Sequence, residues 1–396
     1  MRIGIASPVL IEPFRKHLDM TQPVDISEVK GLGVTMTNII ARRLLDLGHQ
    51  VVLFTLEAGG KSEVVLDGPL LRICIGPYRS SRRRRAFDFY QVEREYIQRA
   101  IEREKPDIVH AHWTYEFALG SLASSVPTLV TVRDWAPAYL AQCRNLNQTI
   151  YFFIRYLMDR QTFKRAEWIS ANSPLIQERI RKRWGRHVPV IPNTIEDSRL
   201  RVDEKPFPSG APCIISVNNG FSLRKNTKTL LRAFSLIRRR VPECKLLFVG
   251  YQFEPGGIAE QWASESNLNE GVEYFGHLAQ EEIIGLLDKA SLMIHPSIEE
   301  SFGNTLVEAM ARRVPVLGGE KSGAVPWVLD NGRAGALCDV RNPESITREA
   351  VEILTSRERW TKLSEAGYAR VRGTFSLSRV VDTCLAEYRR VVEDNY

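Results

Sequence analysis

An α/β protein built from two parallel-sheet domains is the fold class this chain predicts, and three observations lead there. Short apolar runs closed by Gly, Pro or Ser alternate with amphipathic stretches of helical length along the whole chain. At 396 residues the chain suits two cores better than one. Its composition, 44% hydrophobic and 26% charged, is that of an ordinary globular protein. Strands that alternate with helices make βα units, whose parallel sheets gather ligands at the carboxyl ends of their strands.

Residues 1–6 read as a first strand and not as a signal peptide, and no apolar run approaches the ~20 residues of a bilayer span. Cytoplasm is the expected compartment. Cys74, Cys143, Cys213, Cys244, Cys338 and Cys384 are scattered, without metal-ligand spacing, and are expected to be reduced and mostly buried. Residues 7–30 read as a loop rich in Pro and acidic residues. Gly31-Leu32-Gly33 then opens a helix over 35–47, and a strand over 50–56 follows. The strand 107–112 ends in His110 and His112, two apart and therefore on one face. The strand 128–132 delivers Arg133-Asp134-Trp135. A helix over 151–165 and a strand over 167–171 complete the alternation, and residues 188–193 close the first domain.

The first domain is thus expected to span 1–195, with 196–212, charged and containing three prolines, as linker. The second is expected to span 213–375 and to be followed by a terminal helix over 376–396. It opens with a strand over 213–217 and the loop Asn218-Asn219-Gly220-Phe221-Ser222-Leu223-Arg224-Lys225-Asn226. Helix 229–240, strand 245–250 and the segment Glu273-Tyr274-Phe275-Gly276 come next.

The densest chemistry lies in residues 291–319. An apolar strand over 292–294 is ended by Pro296 and Ser297, helical composition runs over 305–312, and a second strand covers 314–317. Glu299 and Glu300 fall at the crevice end of the first strand, and Glu308 leans back toward the same end of its helix. A helix entered through Gly303-Asn304-Thr305 turns backbone N–H groups and a positive dipole end toward a phosphate. Carboxylates repel phosphate, so Glu300 and Glu308 fit hydroxyl groups on either side of one, the layout of a sugar nucleotide. The plainer alternative is a loop charge and a solvated helix residue.

Residues 300–311, Glu-Ser-Phe-Gly-Asn-Thr-Leu-Val-Glu-Ala-Met-Ala, resemble the signature of retaining glycosyltransferases of family 4. That resemblance implies the GT-B fold, two Rossmann-like domains with a cleft between them and a terminal helix crossing back to the first. It implies a nucleoside-diphosphate sugar as donor and no metal or other cofactor. Glu300 would bind donor-sugar hydroxyls, Glu308 the ribose, and Lys225 with Arg224 the pyrophosphate. Phe275 and Gly276 would border the base, Gly33 the donor phosphate, and His112 the substrate. The family commonly has His before Asp where this chain has Arg133, a poor proton acceptor and a suitable clamp for phosphate or carboxylate. The acceptor would be a glycan or a lipid-linked glycan.

Net charge is +7, and Arg79 with the run Arg82 to Arg85 concentrates it beside Phe87, Phe89 and Tyr90. Such a tract suits an anionic membrane surface or a lipid phosphate, giving a peripheral enzyme; no nucleic-acid motif accompanies it. A glycosidase is the nearest rival enzyme, but it needs carboxyls ~5–9.5 Å apart. Eight helical positions could separate Glu300 and Glu308 by ~12 Å. A sugar-nucleotide binder without transfer, or an epimerase, is the other alternative.

Overall fold

The computed structural model describes residues 1–19, 29–33, 35–60, 62–141, 143 and 145–395. By their contacts they form two compact units, residues 1–194 with 377–396, and residues 195–376.

The first unit is built on a seven-stranded sheet of β1 (Arg2–Ala6), β2 (Gln50–Ala58), β3 (Val64–Asp67), β4 (Leu71–Tyr78), β5 (Ile108–His112), β6 (Thr128–Val132) and β7 (Trp168–Ala171). Their order is β3-β4-β2-β1-β5-β6-β7, parallel throughout except for the antiparallel β3–β4 pair at one edge. Central strands such as β5 and β6 are buried at every position, so they show no alternation of exposed and buried residues, and their polar side chains, His110, His112 and Thr131 among them, are enclosed. The helix Leu377–Glu393 completes this unit, burying Val380, Val381, Cys384, Tyr388 and Val391 at helical spacing in the same core as Ile39, Ile40 and Leu44. The terminal helix therefore crosses back to the first unit, as the fold class requires.

The second unit holds a six-stranded parallel sheet of β8 (Cys213–Val217), β9 (Lys245–Val249), β10 (Val272–Tyr274), β11 (Leu292–His295), β12 (Val316–Gly319) and β13 (Ala336–Cys338). Its order is β10-β9-β8-β11-β12-β13. Chain order reverses between β8 and β11 here, and between β1 and β5 in the first unit. Those are the two points at which the strand ends open a crevice.

Several local readings change. Residues 196–212 are held to the second unit and do not run as a bare linker. The Arg201 amide donates to Ala311 O at 3.0 Å, and Arg312 Nη1 donates to Arg199 O at 2.9 Å. Within the 7–30 loop, Glu12–His17 forms a 3-10 turn that buries Phe14; residues 20–28 lie outside the described residues. The Arg82 tract forms a helix, Arg82–Phe87, capped by Ser81. Only Arg82, Arg83 and Arg84 of that run are exposed. Arg85 is buried with its guanidinium 4.0 Å from the centre of the Tyr78 ring, because a helix turns every fourth residue inward. Among the described residues no helix is long and apolar enough to cross a membrane.

Candidate active site

Two loops meet at the reversal point of the second sheet. One follows β8 and carries residues 218–226; the other follows β11 and carries residues 296–303. They are tied together by the backbone bond from Ile298 N to Arg224 O, 2.9 Å, and by Asn226 Nδ2 donating to Pro296 O at 3.1 Å. Asn226 adopts left-handed backbone at the start of the helix Thr227–Arg240 and also donates to Val340 O. These ties bring Lys225 and Arg224 to Glu300.

Lys225 Nζ lies 2.6 Å from Glu300 Oε1, His295 Nε2 lies 3.3 Å from the same oxygen, and Arg224 Nη1 lies 3.7 Å away. Glu300 is 13% exposed. Burial by itself would raise its carboxyl, but the His295 hydrogen bond and the Lys225 charge outweigh that and hold it below the usual carboxylate range. The other ring nitrogen of His295, Nδ1, lies 3.4 Å from Thr305 Oγ1. Arg224 Nη1 also donates to Glu299 O at 3.2 Å.

Gly303 caps the helix Asn304–Ala311 with φ +101, and a Cβ there would stand 2.7 Å from Leu306 Cδ1. Gly323 is equally constrained, because a Cβ would lie 2.3 Å from Glu300 O. The backbone bond from Ala324 N to that same carbonyl, 2.9 Å, fixes the glutamate from behind. Glu308 is half-buried on the helix. Burial pushes its carboxyl above the ordinary range, against the pull of the Arg199 charge and of Gln280.

Phe275 and Gly276 follow β10, but their N–H groups donate to Phe248 O and Phe253 O at 3.0 and 2.7 Å. The Gly276 carbonyl in turn accepts from Gly250 N at 2.7 Å. Asn218 is buried, with Nδ2 on Ser216 Oγ and Oδ1 accepting from Ser297. Trp327 packs in a trio with Phe302 and Phe375 beneath the loop.

In the first unit the reversal point is bordered by the residues after β1 and by β5. Gly33, with φ +34, is exposed there beside Leu10. His110 and His112 are both buried, their ring centres 4.1 Å apart. His110 is held at Nδ1 by the Tyr388 hydroxyl and at Nε2 by Thr131, each 2.6 Å. It is a structural histidine that ties the terminal helix to the sheet.

His112 differs. Its Nδ1 accepts from Arg133 Nε at 3.0 Å and lies 2.9 Å from Nη2, so the proton of the neutral ring sits on Nε2. Nε2 is buried and has no hydrogen-bond partner among the described residues. Burial first, then His110 and Arg133, lowers the His112 pKa well below the ordinary value and keeps the ring neutral. Arg133 lies behind His112. It is buried, donates to His112 and to Asn193 Oδ1 at 2.5 Å, and is pulled down to about 9 by burial. It positions His112.

Lys225, Arg224, Glu300, Gly303, Asn304 and Thr305 thus share one site in the second unit, with Glu308 on its helix; His112, Arg133 and Gly33 belong to the first. His295 was not singled out from sequence, although a lone polar residue ending an apolar strand is the signal that could have found it.

Two family models match the chain: Glycosyl transferases group 1 over residues 198–370 and Glycosyltransferase Family 4 over 29–199. The lipopolysaccharide core biosynthesis glycosyltransferase LpsE of Rhizobium meliloti is 25% identical over 297 residues, 73% of this chain and 77% of its own. The N-acetyl-alpha-D-glucosaminyl L-malate synthase of Bacillus anthracis is 25% identical over 307 residues, 74% and 77% of the two chains. Among solved structures, the sucrose-phosphate synthase of Thermosynechococcus elongatus superposes with a TM-score of 0.78 at 19% identity, covering 100% of both chains. Anabaena HepE, in complex with UDP and glucose, has a TM-score of 0.67 at 15% identity over 98% of this chain and 100% of that one. At those identities the structural likeness is one of fold.

Proposed function

Because this chain belongs to glycosyltransferase family 4 and has the GT-B fold, we propose that it moves a sugar from a nucleoside diphosphate to an acceptor hydroxyl with retention of anomeric configuration. Glycan or lipopolysaccharide assembly is the setting, and a glycan or lipid-linked glycan is the acceptor. The observation that carries the reading is Lys225 and Arg224 gathered with Glu300 at the reversal point of the second sheet.

The bond from the anomeric carbon to the diphosphate oxygen breaks, the acceptor oxygen takes its place, and the acceptor proton leaves with the diphosphate. The departing diphosphate gathers negative charge. Lys225, Arg224 and the helix start at Gly303 to Thr305 meet it with fixed positive charge, so the reading needs no metal. Glu300 receives hydroxyls of the donor sugar, and Glu308 receives the ribose diol. Carbonyls around Phe275 and Gly276 border the base. In the first unit, His112 offers its Nε2 proton to a substrate oxygen, with Arg133 holding the ring in that tautomer. Gly33 lets backbone come near the donor phosphate.

The enzyme is cytoplasmic and peripheral at the membrane in this reading. Six free cysteines, four of them buried, support a reducing compartment. Exposed Arg82, Arg83 and Arg84 support contact with anionic lipid.

Thermal shift with nucleoside diphosphates in the presence of a chelator, then product analysis by mass and by the anomeric proton coupling, tests this reading. Stabilisation without metal and a product of retained configuration are expected. Inverted configuration, or sugar release to water without acceptor, would overturn it.

A further inference from the structure

The peripheral reading leaves open how the chain holds a membrane, and one helix in the first unit supplies the means. The helix Leu146–Arg165 buries Met158, Asp159, Thr162 and Phe163 in its second half. Its first half packs by Phe152 and Ile154 and leaves another face exposed. Leu146, Ile150 and Phe153 are 74%, 50% and 48% exposed, at the i, i+4 and i+7 spacing that puts them on one face. Those three positions rise ~10 Å along the helix axis.

The arginine turn borders this ridge. Arg82 stacks its guanidinium 3.6 Å from the centre of the Tyr151 ring, and Tyr151 is one residue on from Ile150. Arg83 and Arg84 are exposed beside it, and Phe87, at the end of the same turn, is 88% exposed. The neighbourhood is rich in aromatics that suit a water–lipid boundary, with Tyr139 stacked on Phe152 at 5.6 Å and Tyr151 edge-on to it. No carboxylate interrupts it in sequence: residues 135–158 contain neither Asp nor Glu.

We infer that the first half of the helix Leu146–Arg165 inserts as an in-plane anchor into an anionic leaflet. Leu146, Ile150 and Phe153 enter the boundary between headgroups and acyl chains, and Arg82, Arg83 and Arg84 pair with lipid phosphates. Exposed apolar residues next to cations are the signature of an interfacial helix, which seats its apolar face ~5–10 Å deep; the acid at the end of the arginine turn, Asp88, is neutralised by Arg79 at 2.6 Å. A second copy of this chain fits the ridge less well, because an isologous contact there would bring one arginine turn toward the other. This inference rests on the peripheral reading of the enzyme and names the part that inserts.

The experiment is co-sedimentation of the full chain with phosphatidylcholine vesicles, with and without phosphatidylglycerol. Leu146→Ser/Ile150→Ser/Phe153→Ser and Arg82→Gln/Arg83→Gln/Arg84→Gln are compared with the parent and with Val202→Ser, an exposed apolar site in the second unit. The apolar triple variant is expected to lose at least ~tenfold in partitioning to anionic vesicles, at low and high salt alike. The arginine variant is expected to lose roughly a hundredfold at low salt, and less as salt screens the parent. Val202→Ser should match the parent. Every variant should keep the parent's melting shift with nucleoside diphosphate, which shows that each is folded. Loss of that shift in the parent would count against the enzymatic reading alone.

Undiminished vesicle binding by the apolar triple variant would overturn the inference. So would a parent dimer, seen by light scattering, that becomes monomeric in that variant with vesicle binding unchanged, since the ridge would then be a contact between copies.

Discussion

Lys225 Nζ stands 2.6 Å from Glu300 Oε1, so the cation assigned to the departing diphosphate is neutralised by a carboxylate when no donor is present. A bound diphosphate competes with Glu300 for that ammonium. Lys225→Met should therefore lower kcat/KM by ~10²–10³-fold, the range seen when a placed charge-stabilising donor is removed. The same variant should show a raised Glu300 carboxyl, since one of the two groups that hold it down is gone. Steady-state kinetics with a fixed donor checks the first, and the acid side of the pH–rate profile the second. A Lys225→Met enzyme with parental kcat/KM would remove the lysine from the mechanism.

Gly303→Ala should weaken both fold and donor binding. The backbone there has φ +101, and the new Cβ would meet Leu306 at 2.7 Å. Strain of this kind costs ~1–3 kcal/mol. Denaturant unfolding should register that loss, and nucleoside diphosphate affinity should fall with it as the helix start shifts. Unchanged values for both would mean that the turn relaxes freely.

The buried histidines give the first unit a pH response. Burial holds His110 and His112 far below the ordinary histidine value. In the unfolded chain each takes up a proton near pH ~6.5, so the unfolded state binds more protons below that pH and folding weakens as pH falls through it. The unfolding midpoint should be lower at pH 5.5 than at pH 7. Ring-proton shifts of both histidines should stay those of neutral imidazole across that window; titration of either ring near 6.5 would contradict the burial argument.

Asp159 works in the opposite direction. Burial pushes its carboxyl up to about 7, the Thr114 hydroxyl donates to Oδ1 at 2.7 Å, and Oδ2 has no partner among the described residues. Raised in the folded state, this group favours folding while it holds its proton and ceases to do so as pH climbs toward 7. Asp159→Asn keeps a neutral acceptor for Thr114, so it should raise the melting temperature at pH 8 and raise it less at pH 5, where part of the penalty is already present because the unfolded carboxyl is ionised. Equal effects at the two pH values would show that Asp159 carries no unfavourable charge.

The parallel-sheet architecture was legible because buried strands such as β9 and β11 leave apolar runs (Leu246–Val249, Leu292–Ile294) between helical stretches, and because the Glu300 to Glu308 segment keeps its family spacing. The β3–β4 pair escaped notice. Asp67 at the end of β3 and Arg72 in β4 form an ion pair across it, so charge interrupts the apolar pattern of that edge. Residues 196–212 look like linker by charge and proline content, yet their bonds to Ala311 and Arg312 depend on backbone groups that composition does not reveal. The surroundings of Arg133 were not legible for a related reason. Its partners His112 and Asn193 lie 21 and 60 residues away in sequence, and only the fold brings them together. Arg85 shows the limit of reading a charge run as a surface: the ~100° rotation from one helical residue to the next turns it inward from exposed Arg84.

The division of labour between the two glutamates is the central claim, and titration of both variants with nucleoside diphosphate tests it most directly. Glu308→Ala removes the acceptor assigned to the ribose diol, a charge-assisted contact worth ~1.5–3 kcal/mol. Affinity should fall roughly ten- to a hundredfold at ~1.4 kcal/mol per decade. Glu300→Gln removes a carboxylate that holds Lys225 at 2.6 Å, so free diphosphate should bind at least as tightly as to the parent while turnover of the full donor drops. Equal losses of affinity in the two variants, or a larger loss in Glu300→Gln, would contradict the assignment.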